Sequence, residues 1–303
     1  MSSVGARVSA VIVHYKTPEE TTEAVKALAA AAPDVEVVVV DNASGDDIAR
    51  RLQAETPAAR LLVEARNGGY GAACNRGARE TSRPFLLMLN SDSFVQAGAV
   101  EALVAALDGD PRAAAVGPRL TNPDETLQPS ILRLPTLWRV FCESSGLAFL
   151  SGGRGPLRGH SATREGHSRP QSVECVKGAA ILIRRSAFEE VGGFDESFFL
   201  YAEESDLCAR LRRRGWRILF EPSARVVHKG GRSGGDALFG QLHEGLAQHV
   251  ARHQGTIAAR LARLVLRAGA AARYAISLLT PGERGRLRRS RYRAALAGPP
   301  RRA

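Results

Sequence analysis

Apolar residues in the first 117 positions fall into short unbroken runs separated by stretches with helical spacing. Val8 to Val13, Arg60 to Val63, Phe85 to Leu89 and Ala113 to Val116 predict strands. Val35 to Val40 is so continuous in valine that it predicts a strand covered on both faces, as in a parallel sheet. Between these runs the pattern predicts helices over Pro18 to Ala31, Asp46 to Glu55, Gly71 to Glu80 and Ala97 to Leu107. Strand and helix alternate throughout, which predicts an α/β protein with a doubly wound sheet and right-handed crossovers. Ligands of such sheets sit beyond the carboxyl ends of the strands, so polar residues directly after a strand mark the expected site.

The regular pattern lapses from Thr121 to Gln171, a segment rich in Pro, Gly, Ser and Arg, within which Leu147 to Pro170 reads as a mobile loop able to order as a lid. It resumes with Val173 to Ile183, a short helix from Ser186 to Val191, a helix from Glu203 to Arg214, and strands at Arg217 to Phe220 and Ala224 to Val227. No internal repeat is present, and no apolar run approaches the roughly 20 residues needed to span a bilayer. The N-terminus has no signal-peptide pattern, and the four cysteines (Cys74, Cys142, Cys175, Cys208) are widely spaced with no CxxC pair. A reduced, cytoplasmic setting is therefore expected. At 44% hydrophobic and 24% charged the composition is globular, but the net charge of +11 is unevenly placed. From Arg252 to the end there are thirteen arginines, no lysine and one acid, so this segment carries +12 and the rest of the chain −1. Two domains are expected: 1–251, divided between 117 and 118, and a basic helical or disordered tail (252–303). In the tail, Ile257, Leu261, Leu264, Val265 and Leu266 oppose Arg260, Arg263 and Arg267, and an arginine-dense stretch runs from Arg284 to Arg293. That combination predicts peripheral attachment to an anionic membrane, on the inner face of the cytoplasmic membrane. Nucleic acid is not expected as a partner, because the basic stretch has no recognition module and no interleaved aromatics.

Four polar clusters occupy strand ends. Asp41-Asn42 follows the valine run; either a turn or a base and ribose contact fits, and Ser44 and Asp46 already supply capping chemistry. RNGGYGAACNRGARE at 66–80 carries glycines that let backbone approach a ligand, followed by a helix, without a GK[ST] or GxGxxG signature. Asn90-Ser91-Asp92 ends a buried strand and suits a hard divalent cation held by few protein ligands, or else a helix cap. Glu203, Glu204 and Asp206 crowd one helical turn, more carboxylate than the helix dipole or pairing with Arg210 asks for, and predict a general base. Finally His228 ends a strand and leads into Lys229-Gly230-Gly231-Arg232-Ser233, a set suited to a diphosphate.

In this order the motifs resemble the family 2 inverting glycosyltransferases of the GT-A fold, especially bacterial rhamnosyltransferases of cell-wall and O-antigen assembly. The resemblance covers about residues 7–235. It runs through VIVHYKTPE (11–19), VVVVDNASGDD (37–47), NGGYGAACNRG (67–77), LNSD (89–92), GPRLTNPDETLQPSILRLP (117–135), GAAILIRRSAFEEVGGFDESFFLYAEESDLCARLRRRGW (178–216) and VVHKGGRS (226–233). It implies a GT-A (Rossmann-like) mixed, mainly parallel sheet flanked by helices, with 1–117 as a nucleotide-binding half and 118–251 as an acceptor half, followed by the basic helical extension. It further implies a nucleotide-diphosphate sugar donor, with L-rhamnose the best match, a glycan or lipid-linked acceptor, and Mg²⁺ or Mn²⁺. His14, Asp41, Asn67, Asn75, Asn90, Ser91 and Asp92 are implied on the donor side, and His228, Lys229, Arg232 and Ser233 in the diphosphate and metal loop, with Asp92 and His228 as metal ligands. Glu204 stands where the family usually has its catalytic Asp, because EESD replaces Glu-Asp-x-Asp, and Glu203 is the other candidate base; Asp206 and Tyr201 are implied on the acceptor side. The same departure leaves a second reading, a glycosyltransferase-fold binding or scaffold protein with impaired catalysis; donors such as galactofuranose, mannose, glucose or N-acetylglucosamine form a third.

Overall fold

The computed structural model describes residues 3–161, 166–230 and 238–299. Its first strands are β1 (Val8–His14) and β2 (Glu36–Asp41), with β3 (Arg60–Val63) and β4 (Phe85–Asn90) following. They pair in parallel in the order β3-β2-β1-β4. All seven residues of β1 are buried, as are five of the six in β2 and in β4, the signature of strands covered on both faces. The covering helices are α1 (Pro18–Ala31), α2 (Ile48–Glu55) and α3 (Tyr70–Arg79), each spanning a crossover. Proline at the first position of α1 has no N–H to leave unsatisfied, and Glu19 and Glu20 complement the positive end of the helix. After β5 (Ser93–Val95), α4 begins at Ala99 rather than Ala97, because Gly98 takes a φ of +77°, outside the helical range.

Beyond β4 the sheet departs from the simple alternation. β6 (Ala113–Thr121) does not join β4; β11 (Ala180–Arg184) inserts between them, antiparallel to both. Two short strands, β7 (Leu127–Gln128) and β8 (Ile131–Leu132), lie in the segment expected to lack regular structure, and β7 pairs back onto β6. β9 (Gln171–Val173) and β10 (Cys175–Val176) precede β11, with β10 pairing β8. The two strands expected at 217–220 and 224–227 are one, β12 (Arg217–His228), with a register shift between Glu221 and Arg225 where Pro222 cannot donate to the ladder. β12 runs parallel to β6 and ends antiparallel to β5, which sets His228 opposite Ser93. The core of this sheet includes Ile12, Leu28, Leu87, Leu89, Leu103 and Leu182. Each such side chain contributes about 1.5–3 kcal/mol on burial.

The chain divides into two compact units, Met1–Leu132 with Ala162–Phe199 and Asp206–Ser233, and Arg133–Ser161 with Leu200–Ser205 and Gly234–Ala303. The second is helical: α5 (Leu137–Ser144), α6 (Leu147–Leu150), and then, after α7 (Arg185–Glu190) and α8 (Glu203–Arg213) of intervening chain, α9 (Leu238–Gln254), α10 (Thr256–Leu278) and α11 (Gly282–Ala297). Val140, Leu246, Val250, Ala262 and Leu266 form its core. α9 passes through the expected domain boundary at 251/252, and β6 passes through the one at 117/118. Nor is Leu147 to Pro170 a featureless loop: α6 and a 3₁₀ turn at Gly155–Leu157 occupy it, and the Trp138 indole donates to the Pro156 carbonyl at 2.7 Å. Glu143 accepts the backbone N–H groups of His160 and Ser161, each at 3.0 Å.

Candidate active site

Three of the predicted clusters follow the carboxyl ends of β2, β3 and β4. Asp41 closes β2, and its Oδ1 accepts the Ser44 N–H at 2.9 Å, while among the described residues Oδ2 has no hydrogen bond. Asn42 next to it braces the glycine loop, accepting from Gly68 N at 3.0 Å and donating to Gly69 O at 3.2 Å. Asn67 accepts from Gly69 N within that loop. Gly69 is required there: with φ +93°, a Cβ would fall 2.3 Å from the Phe199 carbonyl, which accepts the Tyr70 N–H.

Two of the donor-side candidates are engaged inside the protein. His14 has no exposed surface, and both ring nitrogens are engaged, Nδ1 with Thr21 Oγ1 at 2.7 Å and Nε2 with both Asp46 carboxylate oxygens at 3.1 Å. It clamps the loop after β2 from behind. Asn75 on α3 is likewise committed, donating to Phe194 O and Glu196 Oε1 and accepting from Phe194 N, all at 2.9 Å.

The turn from β4 to β5 carries Asn90, Ser91 and Asp92. Ser91 Oγ meets Thr17 Oγ1 at 2.9 Å, and Asn90 N donates to Ala179 O, tying the turn to the start of β11. The β5–β12 pairing brings Asp92 and His228 together, with Oδ1 3.3 Å from Nε2 and both side chains nearly buried. Burial would raise the Asp92 carboxyl, but His228 and the N–H groups of Asp92 and Gly230 outweigh it, holding the group below its ordinary value. A carboxylate and an imidazole held this close are ligands suited to a divalent cation whose remaining positions go to water and phosphate oxygens. Lys229 is engaged otherwise, its Nζ 2.8 Å from Glu23 and 4.7 Å from the centre of the Phe94 ring. Arg232 and Ser233 lie outside the described residues.

Glu203 and Glu204 open α8, and the geometry separates them. Glu203 is buried and its Oε2 has no hydrogen-bond partner among the described residues, whereas Glu204 is partly exposed. Burial, then the charge of Glu204, push the Glu203 carboxyl well above its ordinary range. Of the two carboxyls, Glu204 is the one with surface open to solvent. Asp206, expected on the acceptor side, has no exposed surface; its Oδ2 pairs with Arg210 Nε at 2.6 Å, and Arg210 also donates to Val191 O. It anchors the helix. Tyr201, partly exposed, precedes the pair with φ +68°, and Ala202 repeats that value. Two consecutive left-handed residues with side chains are costly, and such strain persists where surrounding structure over-determines it.

That support is one feature the sequence pattern missed. On α9, Gly245 lets the Tyr201 carbonyl approach so closely that a Cβ would lie 2.5 Å from it, and Gln241 donates to Leu200 O at 3.4 Å. A second is Gln128 on β7, whose Oε1 lies 2.6 Å from His228 Nδ1. Neither glutamine had a local signal: only tertiary contact gives them a role.

The sequence profile of Glycosyl transferase family 2 matches residues 9–192. An N-acetylglucosaminyl-diphospho-decaprenol L-rhamnosyltransferase of Mycobacterium tuberculosis is 35% identical over 208 residues, covering 64% of this chain and 66%, just under two thirds, of that relative. A low-salt glycan biosynthesis hexosyltransferase of Haloferax volcanii is 27% identical over 225 residues, 69% of this chain and 63% of that one. Among solved structures, a mannosyltransferase from Pyrobaculum calidifontis in complex with GDP-Man and Mn²⁺ superposes with a TM-score of 0.57 at 17% identity, covering 96% of this chain and 85% of that one. The fold is thus the α/β GT-A fold, a mixed sheet with flanking helices and a helical C-terminal region.

Proposed function

Because the chain belongs to glycosyl transferase family 2, we propose that it transfers a sugar, with L-rhamnose favoured, from a nucleotide-diphosphate donor to a hydroxyl of a glycan or lipid-linked acceptor, with inversion. The observation that carries the reading is the Asp92–His228 pair at the β4–β5 turn, beyond the same strand ends that present Asp41. Asp41 Oδ2 and Asn67 contact the nucleoside, and Asp92 and His228 hold Mg²⁺ or Mn²⁺. Bound there, the cation offsets charge that develops on the departing diphosphate. Glu204 accepts the proton of the acceptor hydroxyl as its oxygen bonds to the anomeric carbon; the bond from that carbon to the diphosphate oxygen breaks, and its electron pair leaves with the diphosphate. Burial disfavours the charged form of Glu203, so the base in this reading is Glu204, the carboxyl open to solvent. Rhamnose and a lipid-linked acceptor are supported by the name of the 35% identical relative.

The experiment is incubation of the purified protein with a panel of nucleotide-diphosphate sugars and a prenyl-diphosphate-linked N-acetylglucosamine acceptor, with Mg²⁺ or Mn²⁺. Rhamnosylated product of inverted configuration is expected. Transfer of a different sugar would replace the donor assignment, and full activity in excess chelator would overturn the cation's role.

Membrane contact belongs to the same reading, and the helical second unit supports it. Ile257, Leu261 and Leu264 stand exposed one turn apart on α10, and Arg260 and Arg267 flank them, exposed and without an ion pair among the described residues. Beside this stripe an open groove of about 630 Å³ is lined by Leu137, Trp138, Phe141, Gln254, Ala258, Leu261 and Val265. An apolar stripe edged with arginine lies in the interface of an anionic bilayer. Among the described residues no helix is long and apolar enough to cross a membrane. Leu266, expected on the apolar face, is in the core instead.

A further inference from the structure

We infer that Gln128 is a positioning residue: it fixes the tautomer of His228 so that the ring's Nε2 lone pair faces the cation site shared with Asp92, an inference that rests on the cation-assisted reading. The orientation of the Gln128 amide is determined twice over. Its Oε1 lies 3.0 Å from Lys177 Nζ, a group with donors only. On the other side, Nε2 faces two oxygens, Asn122 Oδ1 at 2.9 Å and the His228 carbonyl at 3.2 Å. Turning the amide over would set a donor against a donor and an acceptor against two acceptors.

With the oxygen so placed, His228 Nδ1, 2.6 Å from it, has to carry a hydrogen and donate. In the neutral ring the other nitrogen is then an acceptor. That nitrogen, Nε2, lies 3.3 Å from Asp92 Oδ1, itself an acceptor. A proton on Nε2 joins the two groups as a hydrogen-bonded pair, and a cation bound there displaces that proton and takes its place between them. Metal-bound histidines characteristically donate their second N–H to an oxygen in this manner, which fixes the ring and raises its basicity.

The chain builds this contact by a tight hairpin. Gln128 pairs with Leu120 across β6 and β7, and the turn between them is closed by Asn122 N to Thr126 O at 2.9 Å and by Asp124, which accepts the Thr126 N–H. Asn122 thus serves both the turn, through its Nδ2 to Thr126 Oγ1, and the Gln128 amide. The sidedness of a single amide is in this way passed from a lysine and a turn to a ring nitrogen.

The test uses the full chain. Binding of Mn²⁺ alone is titrated by electron paramagnetic resonance, and the His228 tautomer is read from long-range ¹⁵N–¹H correlations in ¹⁵N-histidine-labelled protein. Gln128→Met, close in volume but without the amide oxygen, is expected to weaken Mn²⁺ binding about 10–100-fold and to move the neutral ring toward the Nε2–H form. Gln128→Glu, which keeps an oxygen for both Lys177 and Nδ1, is expected to bind Mn²⁺ within a few-fold of wild type and to keep the Nδ1–H form. Equal losses in the two variants would mark a packing role and overturn the inference, as would a neutral Nε2–H ring in the wild type. Wild-type protein with no Mn²⁺ binding would instead overturn the cation reading, and the tautomer shift in Gln128→Met would still decide whether Gln128 sets the ring.

Discussion

The division of labour between two adjacent carboxyls is decided by depth. Glu203 is buried with an unpartnered oxygen and Glu204 reaches solvent, so burial weighs against the charged form of the first. Glu204→Gln is therefore expected to lower kcat by about 10²–10⁴-fold, the usual range for a lost acid–base group, while donor binding measured by calorimetry persists. Near-normal turnover in that variant would remove Glu204 from the reaction. Glu203 makes a different prediction. Its folded-state pKa lies above its unfolded value, so its neutral form is favoured by folding and stability is lost as pH rises through the folded pKa. Glu203→Gln should flatten the fall in denaturant midpoint that sets in above the ordinary carboxylate range. An unchanged slope would mean that the buried carboxyl is not the titrating group. The crowding of acids at 203–206 was legible in the sequence, but not the differences within it: burial and pairing alone separate a buried Glu203, a half-exposed Glu204 and an Asp206 paired with Arg210.

At the scale of elements, the loops that carry the site are bent by neighbours. Four non-glycine residues with positive φ, Lys16, Ala43, Tyr201 and Ala202, lie within two residues of His14, Asp41 or Glu203. The Tyr201–Ala202 turn depends on Gly245 of α9, since an added methyl there would meet the Tyr201 carbonyl at 2.5 Å. Gly245→Ala is expected to destabilise the fold by about 1–3 kcal/mol through overpacking. It should also cut kcat by more than tenfold, because misplacing a reactive group by about 1 Å can cost 10²-fold. Thermal denaturation and steady-state kinetics together check this; lost stability with unchanged kcat would show that the turn does not serve the reaction. The parallel strands β1, β2, β3 and β4 were legible because their apolar runs need no partner to be recognised. The direction of β11, the two-residue β7 and the helix α5 were not, since AILIR reads alike in either direction and a Pro- and Ser-rich segment conceals short elements. Glu143 on α5 shows what that segment concealed. Burial alone would raise its carboxyl, but His160 and Ser161 outweigh it and hold it at about 2. Its stabilising contribution is complete above the ordinary carboxylate range and disappears as pH falls toward 2. Glu143→Gln should accordingly be less stable than wild type at neutral pH and equal to it near pH 2, by denaturant titration monitored through Trp138; a constant difference across pH would rule the ion pair out as the cause.

Over the whole molecule, charge is sorted rather than balanced. The chain up to Ala251 is close to neutral, and the following segment, which supplies the end of α9 and all of α10 and α11, carries the excess of arginine. Neutralising the protein by folding is not what this distribution does: of the α10 arginines, Arg263 pairs with Glu244, while Arg260 and Arg267 remain exposed beside the apolar stripe. A surface of that kind binds through two terms, apolar burial and attraction to anionic headgroups at about 1 kcal/mol per arginine. Arg260→Ala with Arg267→Ala should therefore weaken partitioning onto phosphatidylglycerol-containing vesicles by roughly 10–30-fold at low ionic strength, with the difference shrinking as salt shortens the screening length. Leu261→Asp with Leu264→Asp should weaken it at every salt concentration, because the apolar term is not screened. Truncation at residue 251 is the wrong probe, since it would cut α9 and remove Ala262 and Leu266 from the core they share with Val140 and Leu246. Sedimentation with vesicles of neutral and anionic lipid distinguishes the two terms. Equal binding to both lipids, unaffected by either pair of substitutions, would separate the basic helices from the membrane altogether and leave their charge to another polyanion.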